Sequence, residues 1–285
     1  MSSTTPSTTA RRGPIGVFDS GFGGLTILEA IRRRLPEYDY LYLGDNLRAP
    51  YGPRDFDTVY RFTLQAVREL FARGCPLVIL ACNTASAKAL RTIQQNDLPK
   101  MGDSLLRVLG VIRPTAEYVA GASRTGHIGV VATSGTVASR SYELEIAKLA
   151  PEFSCSSQAC PMWVPLVENG EAQSEGAAYF VNRDIGRLLE RDPLTDTIIL
   201  GCTHYPLLMD KIRRAVPAGI DILPQGDIVA ESLADYLERH PEIDSRLERG
   251  GATRYMTTGD PAGFAATAAH FLGRNVDCSR VTLAD

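Results

Sequence analysis

Lysine is scarce in this 285-residue chain: of its thirty basic side chains only Lys88, Lys100, Lys148 and Lys211 are lysines, which leaves few anchors for a lysine-bound pyridoxal cofactor. Histidine is limited to four residues. No two of the six cysteines, Cys75, Cys82, Cys155, Cys160, Cys202 and Cys278, have the CxxC spacing of a thiolate metal site or a redox dithiol. A structural metal is therefore not expected. No apolar run approaches the ~20 residues of a membrane span. The Ser/Thr-rich opening, residues 1–12, lacks the apolar middle of a secretion signal. That opening is expected to be a disordered tail on a cytoplasmic protein, in a compartment where thiols stay reduced. An excess of positive charge is also missing. A net charge of −3 and a pI near 5.9 supply no field for nucleic acid or an anionic membrane. The local run Arg32-Arg33-Arg34 is expected to be the solvated face of a helix.

What the chain does contain, 44% hydrophobic against 22% charged residues, is enough for a compact core and about two domains. Short β-rich apolar runs at 13–18, 39–43, 77–81, 108–112, 127–132, 154–158, 197–200 and 220–223 alternate with stretches of helical period at 25–35, 57–73, 85–96, 137–149, 177–189 and 227–240. This is the pattern of βαβ units around a parallel sheet. The apolar face of the 57–73 segment is available equally to a homodimer contact and to an intramolecular one.

The chain also echoes itself. Ile15-Gly16-Val17 returns as Ile128-Gly129-Val130, and the run ending Cys82-Asn83-Thr84 returns as the run ending Cys202-Thr203-His204. Gly44-Asp45 matches Cys160-Pro161, and 111–114 corresponds loosely to 222–225. The echoes keep one order, at offsets of 111 to 120 residues. They predict two similar α/β domains, each a mainly parallel sheet flanked by helices, related by pseudo-twofold symmetry. The active site is expected in the cleft between them, where the strand-end loops meet.

Cys82 then has a counterpart in Cys202, so two thiols can approach one molecule from opposite sides. A thiol at a strand end and helix start faces backbone N–H groups and the positive end of the helix dipole, both of which favour thiolate. Asp19 and His204 are the expected proton partners. Inversion of a carbon stereocentre needs such a pair, one group removing a proton from one face and the other delivering a proton to the opposite face. The glycine run Gly21-Phe22-Gly23-Gly24 departs from GxGxxG at Thr26, so close packing of helix on strand is expected there instead of a dinucleotide.

Seven segments, "GVFDSGFGGLT" (16–26), "YLGDNLRAPYG" (42–52), "ACNTAS" (81–86), "GVIRPT" (110–115), "ATSGTV" (132–137), "ACPMWVPLVENGE" (159–171) and "GCTHYPLL" (201–208), closely resemble those of the bacterial glutamate racemases of the cofactor-independent aspartate/glutamate racemase superfamily. The resemblance implies L-/D-glutamate interconversion, supply of D-glutamate for peptidoglycan, no pyridoxal phosphate or metal, and a homodimer. It further implies that Cys82 and Cys202 are the acid/base thiols for D- and L-glutamate respectively. Asp19 would assist Cys82, and His204, oriented by Glu168, would assist Cys202. Substrate contacts would come from Asp19, Ser20, Tyr51, Gly52, Asn83, Thr84, Thr133, Thr136, Thr203 and His204. The implied domains exchange chain ends, 13–105 with 215–285 forming the first and 106–214 the second. Asp45 is expected to hold the loop that follows it. Asn46 stands where many members have threonine.

Two other classes remain in view. A cysteine hydrolase built on Cys202, His204 and Glu168 needs only one thiol and leaves Cys82 unexplained. A non-catalytic binding protein predicts that both thiols are dispensable.

Overall fold

The computed structural model describes residues 12–284, the side chain of His270 excepted. Apart from Arg12, the predicted tail over 1–12 lies outside the described residues. Ten strands form two sheets: β1 Ile15–Asp19, β2 Tyr40–Gly44, β3 Leu77–Leu80, β4 Arg107–Gly110, β5 His127–Ala132, β6 Ser154–Ala159, β7 Thr197–Gly201, β8 Asp221–Leu223, β9 Thr253–Thr257 and β10 Cys278–Arg280. The first sheet runs β10-β9-β2-β1-β3-β4 and the second β6-β5-β7-β8, and every pairing is parallel.

The order β2-β1-β3-β4 is repeated by β6-β5-β7-β8, with β1 to β4 standing in sequence for β5 to β8. The register agrees as well: Ile15 is beside Leu77 as Ile128 is beside Thr197. Two of the sequence echoes slip. Asp19 pairs with Gly44 where Ala132 pairs with Ala159, so Gly44 corresponds to Ala159 and not to Cys160. Likewise Ile79 pairs with Leu109 where Ile199 pairs with Leu223, which sets Val111 opposite Gln225 in the repeat. The expected boundaries at 105/106 and 214/215 each fall one strand early. β4 completes the first sheet and β8 the second, because a parallel strand can be added only after a crossover has brought the chain back to the starting end.

Each sheet is covered on both faces, which is why its strands read as continuous apolar runs. The helix Gly24–Arg34 buries Leu25, Ile27, Leu28, Ala30 and Ile31 on β1 and its neighbours. The helix Gln225–Arg239 buries Val229, Ala230, Leu233 and Leu237 in the same cluster, so the chain returns to the first unit after β8. Truncation of a side chain as enclosed as Leu28 costs ~2–5 kcal/mol. Arg33 and Arg34 lie exposed between these helices, paired with Asp227 and Glu231. The helix Phe56–Ala72 turns Val59, Leu64, Ala66, Val67 and Leu70 onto the other face of the first sheet, so its apolar side is covered by its own chain.

Helix boundaries differ from expectation at two places. The segment expected as one helix over 137–149 breaks at Arg140, whose φ of 55° lies in the left-handed region. The segment expected at 85–96 begins earlier, at Asn83, and passes through short helical turns into a π-turn over Ile93–Asp97. β9, β10 and the helix Pro261–Leu272 were not anticipated, and they extend the first sheet at its β2 edge.

Candidate active site

Cys82 follows β3 and is the N-cap of the helix Asn83–Lys88, its sulfur accepting from the Ala85 N–H at 3.4 Å. Ser20 Oγ lies 3.3 Å from the same sulfur. These hydrogen bonds favour thiolate, as the helix-start position predicts, but they are outweighed. Burial, followed by the neighbouring Asp19 carboxyl, pushes the Cys82 thiol up to about 12. A six-residue helix offers a weak dipole, and a thiol only 6% exposed has lost most of its water. Asp19 itself is 1% exposed. Its Oδ2 accepts from the Gly21 N–H at 2.8 Å, and its Oδ1 has no partner. Burial raises the Asp19 carboxyl, against the pull of His204 and the backbone N–H groups of Gly21 and Gly24.

Cys202, also 6% exposed, follows β7. No α-helix begins there; the chain enters a 3₁₀ turn over Tyr205–Leu208. Its partner is instead His204, whose Nδ1 is 3.8 Å from the Cys202 sulfur and whose Nε2 is 3.1 Å from Glu168 Oε1. Glu168 is the last residue of the helix Trp163–Glu168. Burial disfavours a charged His204, yet the hydrogen bonds to Cys202 and Glu168 prevail and push the imidazole up to about 10. One thiol therefore faces a cation, and the other faces a hydroxyl and a buried carboxyl. The two are close enough for the charge on Cys202 to bear on Cys82.

The two halves meet through loops that the repeat makes equivalent. Thr84, after β3, has its hydroxyl 2.9 Å from that of Thr133, after β5. Thr133 caps the helix Ser134–Ser139, accepting from the Thr136 N–H at 3.3 Å, and Thr136 Oγ1 lies 3.4 Å from Thr84 Oγ1. The matching contact joins the loops after β1 and β7. A Cβ on Gly23 would collide with Thr203 Oγ1 and stand 2.5 Å from His204 Nδ1. Gly24 lets the same turn lie against Asp19, where a Cβ would be 2.5 Å from Asp19 Cβ. The glycine run thus allows close approach, to a strand end on one side and to the opposing half on the other.

The structure brings Asp19, Ser20, Cys82, Thr84, Thr133, Thr136, Cys202, Thr203, His204 and Glu168 together through these contacts. Tyr51 differs: it is buried with its hydroxyl donated to Asp45, so its ring props the loop and offers no free polar group. Asp45 also accepts from Arg48 Nε at 2.7 Å and Thr258 Oγ1 at 2.8 Å, as a loop-holding residue should. Gly52 enters through its backbone, its carbonyl accepting from the Gly135 N–H at 2.9 Å. Asn46 Oδ1 accepts from Thr257 Oγ1 at 2.9 Å, while its Nδ2 is buried without a partner. The Asn83 amide is engaged on both sides, by Tyr142 at 2.6 Å and Gln225 at 2.7 Å. Tyr142 and Gln225 were missed at the sequence level, although Gln225 belongs to the weakest of the four echoes. Cys160 is buried under Tyr205, whose hydroxyl donates to the Cys160 carbonyl at 3.2 Å.

With this geometry in place, comparison with known proteins is informative. The profile of the Asp/Glu/hydantoin racemase family matches residues 25–233. A glutamate racemase of Dinoroseobacter shibae is 42% identical over 273 residues, 92% of this chain and 97% of its own length. Among solved structures, a glutamate racemase isoform of Bacillus anthracis superposes with a TM-score of 0.82 at 35% identity, over 95% of this chain and 98% of its own. The glutamate racemase of Francisella tularensis, solved in complex with D-glutamate, gives 0.83 at 27% identity, over 95% and 97%.

Proposed function

The chain belongs to the Asp/Glu/hydantoin racemase family, and on that premise we propose that it interconverts L- and D-glutamate by proton transfer at Cα between Cys82 and Cys202. The observation that carries this reading is the equivalence of the two thiols. They follow β3 and β7, matching strands of two sheets with one order, and the loops around them meet pairwise across the cleft.

In the L-to-D direction the Cys202 thiolate first takes the Cα proton, and the Cys82 thiol then gives its own to the opposite face. D-glutamate leaves behind a Cys202 thiol and a Cys82 thiolate. His204, held by Glu168, balances the charge at Cys202, and Asp19 serves Cys82. The unpartnered Asp19 Oδ1 is the natural seat for the substrate ammonium. The hydroxyls of Thr84, Thr133, Thr136 and Thr203, with Ser20 and nearby backbone N–H groups, receive the carboxylates. Donors fixed before the reaction stabilise the carbanion-like transition state more than mobile water does.

The same proposal places the enzyme in the cytoplasm as a homodimer, supplying D-glutamate for peptidoglycan. Among the described residues no helix is long and apolar enough to cross a membrane. It also assigns residues 13–110 with 224–284 to one moving unit and 111–223 to the other, following the sheets.

Incubation of each enantiomer in D₂O tests the reaction. Inversion with deuterium entering Cα is expected from both, and absence of exchange from either sinks the proposal. Cys82→Ser and Cys202→Ser must each abolish inversion. If only Cys202→Ser is inactive, a one-thiol hydrolase is the better reading.

A further inference from the structure

Behind Cys82 lies a closed set of buried hydrogen bonds that no part of the mechanism above has used. Gln225 Nε2 donates to Tyr142 Oη at 2.7 Å and to Thr115 Oγ1 at 2.9 Å, and its Oε1 accepts from Asn83 Nδ2 at 2.7 Å. Tyr142 Oη donates in turn to Asn83 Oδ1 at 2.6 Å. All four side chains are buried. They come from both units and both crossover segments: Asn83 directly follows Cys82, Thr115 and Tyr142 belong to the second unit, and Gln225 directly follows the second crossover.

The direction of every bond is fixed from one end. The Val111 carbonyl can only accept, and it takes the Thr115 hydroxyl at 2.8 Å. Thr115 Oγ1 must then accept from Gln225, which turns the Gln225 Nε2 toward it and Oε1 toward Asn83. Asn83 is obliged to present Nδ2 to Gln225 and Oδ1 to Tyr142. Its amide cannot flip without setting two acceptors face to face, a costly arrangement where no water can intervene. One N–H and one lone pair of Asn83 are left over for a ligand.

We propose that Gln225 is a positioning residue for the racemisation: with Tyr142 it latches Asn83, and hence the helix start that bears Cys82, to the second unit, setting the reach of Cys82 toward the substrate Cα. This inference rests on the two-thiol reading above. Cys202 has its own support in His204 and Glu168 and lies outside the latch.

Gln225→Glu is the informative variant because it keeps the shape of the side chain and removes the donor. A carboxylate would turn acceptors toward the Val111 carbonyl, which lies 3.3 Å from Gln225 Nε2, and toward oxygens that require a donor. Loss of activity therefore reports bond direction and not packing. The expected loss in kcat/KM is about 10²-fold, the size associated with a displacement of about 1 Å at the reacting atoms. The two enantiomers have equal energy, so this loss must be the same in both directions.

The discriminating readout is the primary isotope effect measured with Cα-deuterated substrates in H₂O. If Cys82 is misplaced, its transfer becomes the slower one in both directions. The isotope effect then rises with D-glutamate, whose proton Cys82 removes, and falls with L-glutamate. Tyr142→Phe should show the same split. Activity within about twofold of the parent in both variants overturns the proposal, as does loss of activity with both isotope effects unchanged or moving together. A parent enzyme that fails to racemise glutamate counts against the two-thiol reading instead. In that case the alkylation rate of Cys82 relative to Cys202 decides: a ratio raised in Gln225→Glu supports the latch, and an unchanged ratio overturns it.

Discussion

Gly23 and His204 touch across the cleft so closely that a methyl group on Gly23 would stand 2.5 Å from His204 Nδ1. The Gly23 backbone, at φ −58° and ψ −35°, suits any residue, so the need for glycine there arises wholly from the opposing half. Gly23→Ala should fold normally and lose about 10²-fold in kcat/KM as His204 is driven off its line between Cys202 and Glu168. Circular dichroism of the protein with a racemisation assay checks both halves of this expectation.

Gly135, after β5, makes another close approach between the halves. A Cβ there would lie 2.5 Å from the Gly52 carbonyl, which also accepts the Gly135 N–H. Gly135→Ala should push the Thr133 cap away from the 51–54 loop. The expected result is a KM raised about tenfold or more for both enantiomers, in line with the ~1.4 kcal/mol that a tenfold change represents. Steady-state kinetics in the two directions measures it.

The charge on His204 links stability to pH. Burial opposes that charge, but the bonds to Cys202 and Glu168 raise the imidazole from 6.5 to about 10. A group raised on folding contributes fully below its unfolded value and loses its contribution as pH climbs to the folded one. The melting temperature should therefore carry a component that declines between pH 6.5 and about 10. In Glu168→Gln that decline should end at lower pH. Thermal unfolding of both proteins across this range is the measurement, and superimposable curves would exclude the ion pair as a source of stability.

Alkylation should distinguish the two thiols in the resting enzyme. Cys82, pushed up to about 12 by burial and Asp19, keeps its proton, whereas Cys202 faces the His204 cation. At pH 8 iodoacetamide should modify Cys202 well before Cys82, and glutamate should protect both. Peptide mass spectrometry separates these sites from the half-exposed Cys155 and Cys278. Faster reaction at Cys82 would reverse the assigned resting state.

Much of this was legible in the chain because a parallel sheet enclosed on both faces leaves an apolar run for each strand. The runs containing Ile15, Leu77, Ile128 and Thr197 gave both the strands and their correspondence. The pairing of Cys82 with Cys202 followed from it. The strands without a counterpart in the repeat were missed: β9 and β10 lie beyond the order that β1 to β4 share with β5 to β8. Contacts set only by assembly were equally invisible. Nothing near Gly23 announces His204, and Asn83 and Gln225 are 142 positions apart. The helix-start argument for a low Cys82 pKa was sound in sign and wrong in outcome, because the thiol is buried in the apolar cluster of its own unit.

The separate protein partners of the two thiols have a consequence that outlasts a single turnover. Under the proposed two-thiol mechanism, the proton lies on Cys202 and not on Cys82 after D-glutamate departs, and the enzyme is ready for the product it has just made. It therefore carries a memory of the last molecule it handled. The asymmetry between a hydroxyl and carboxyl at one thiol and an imidazole at the other means that this memory fades at different rates in the two directions.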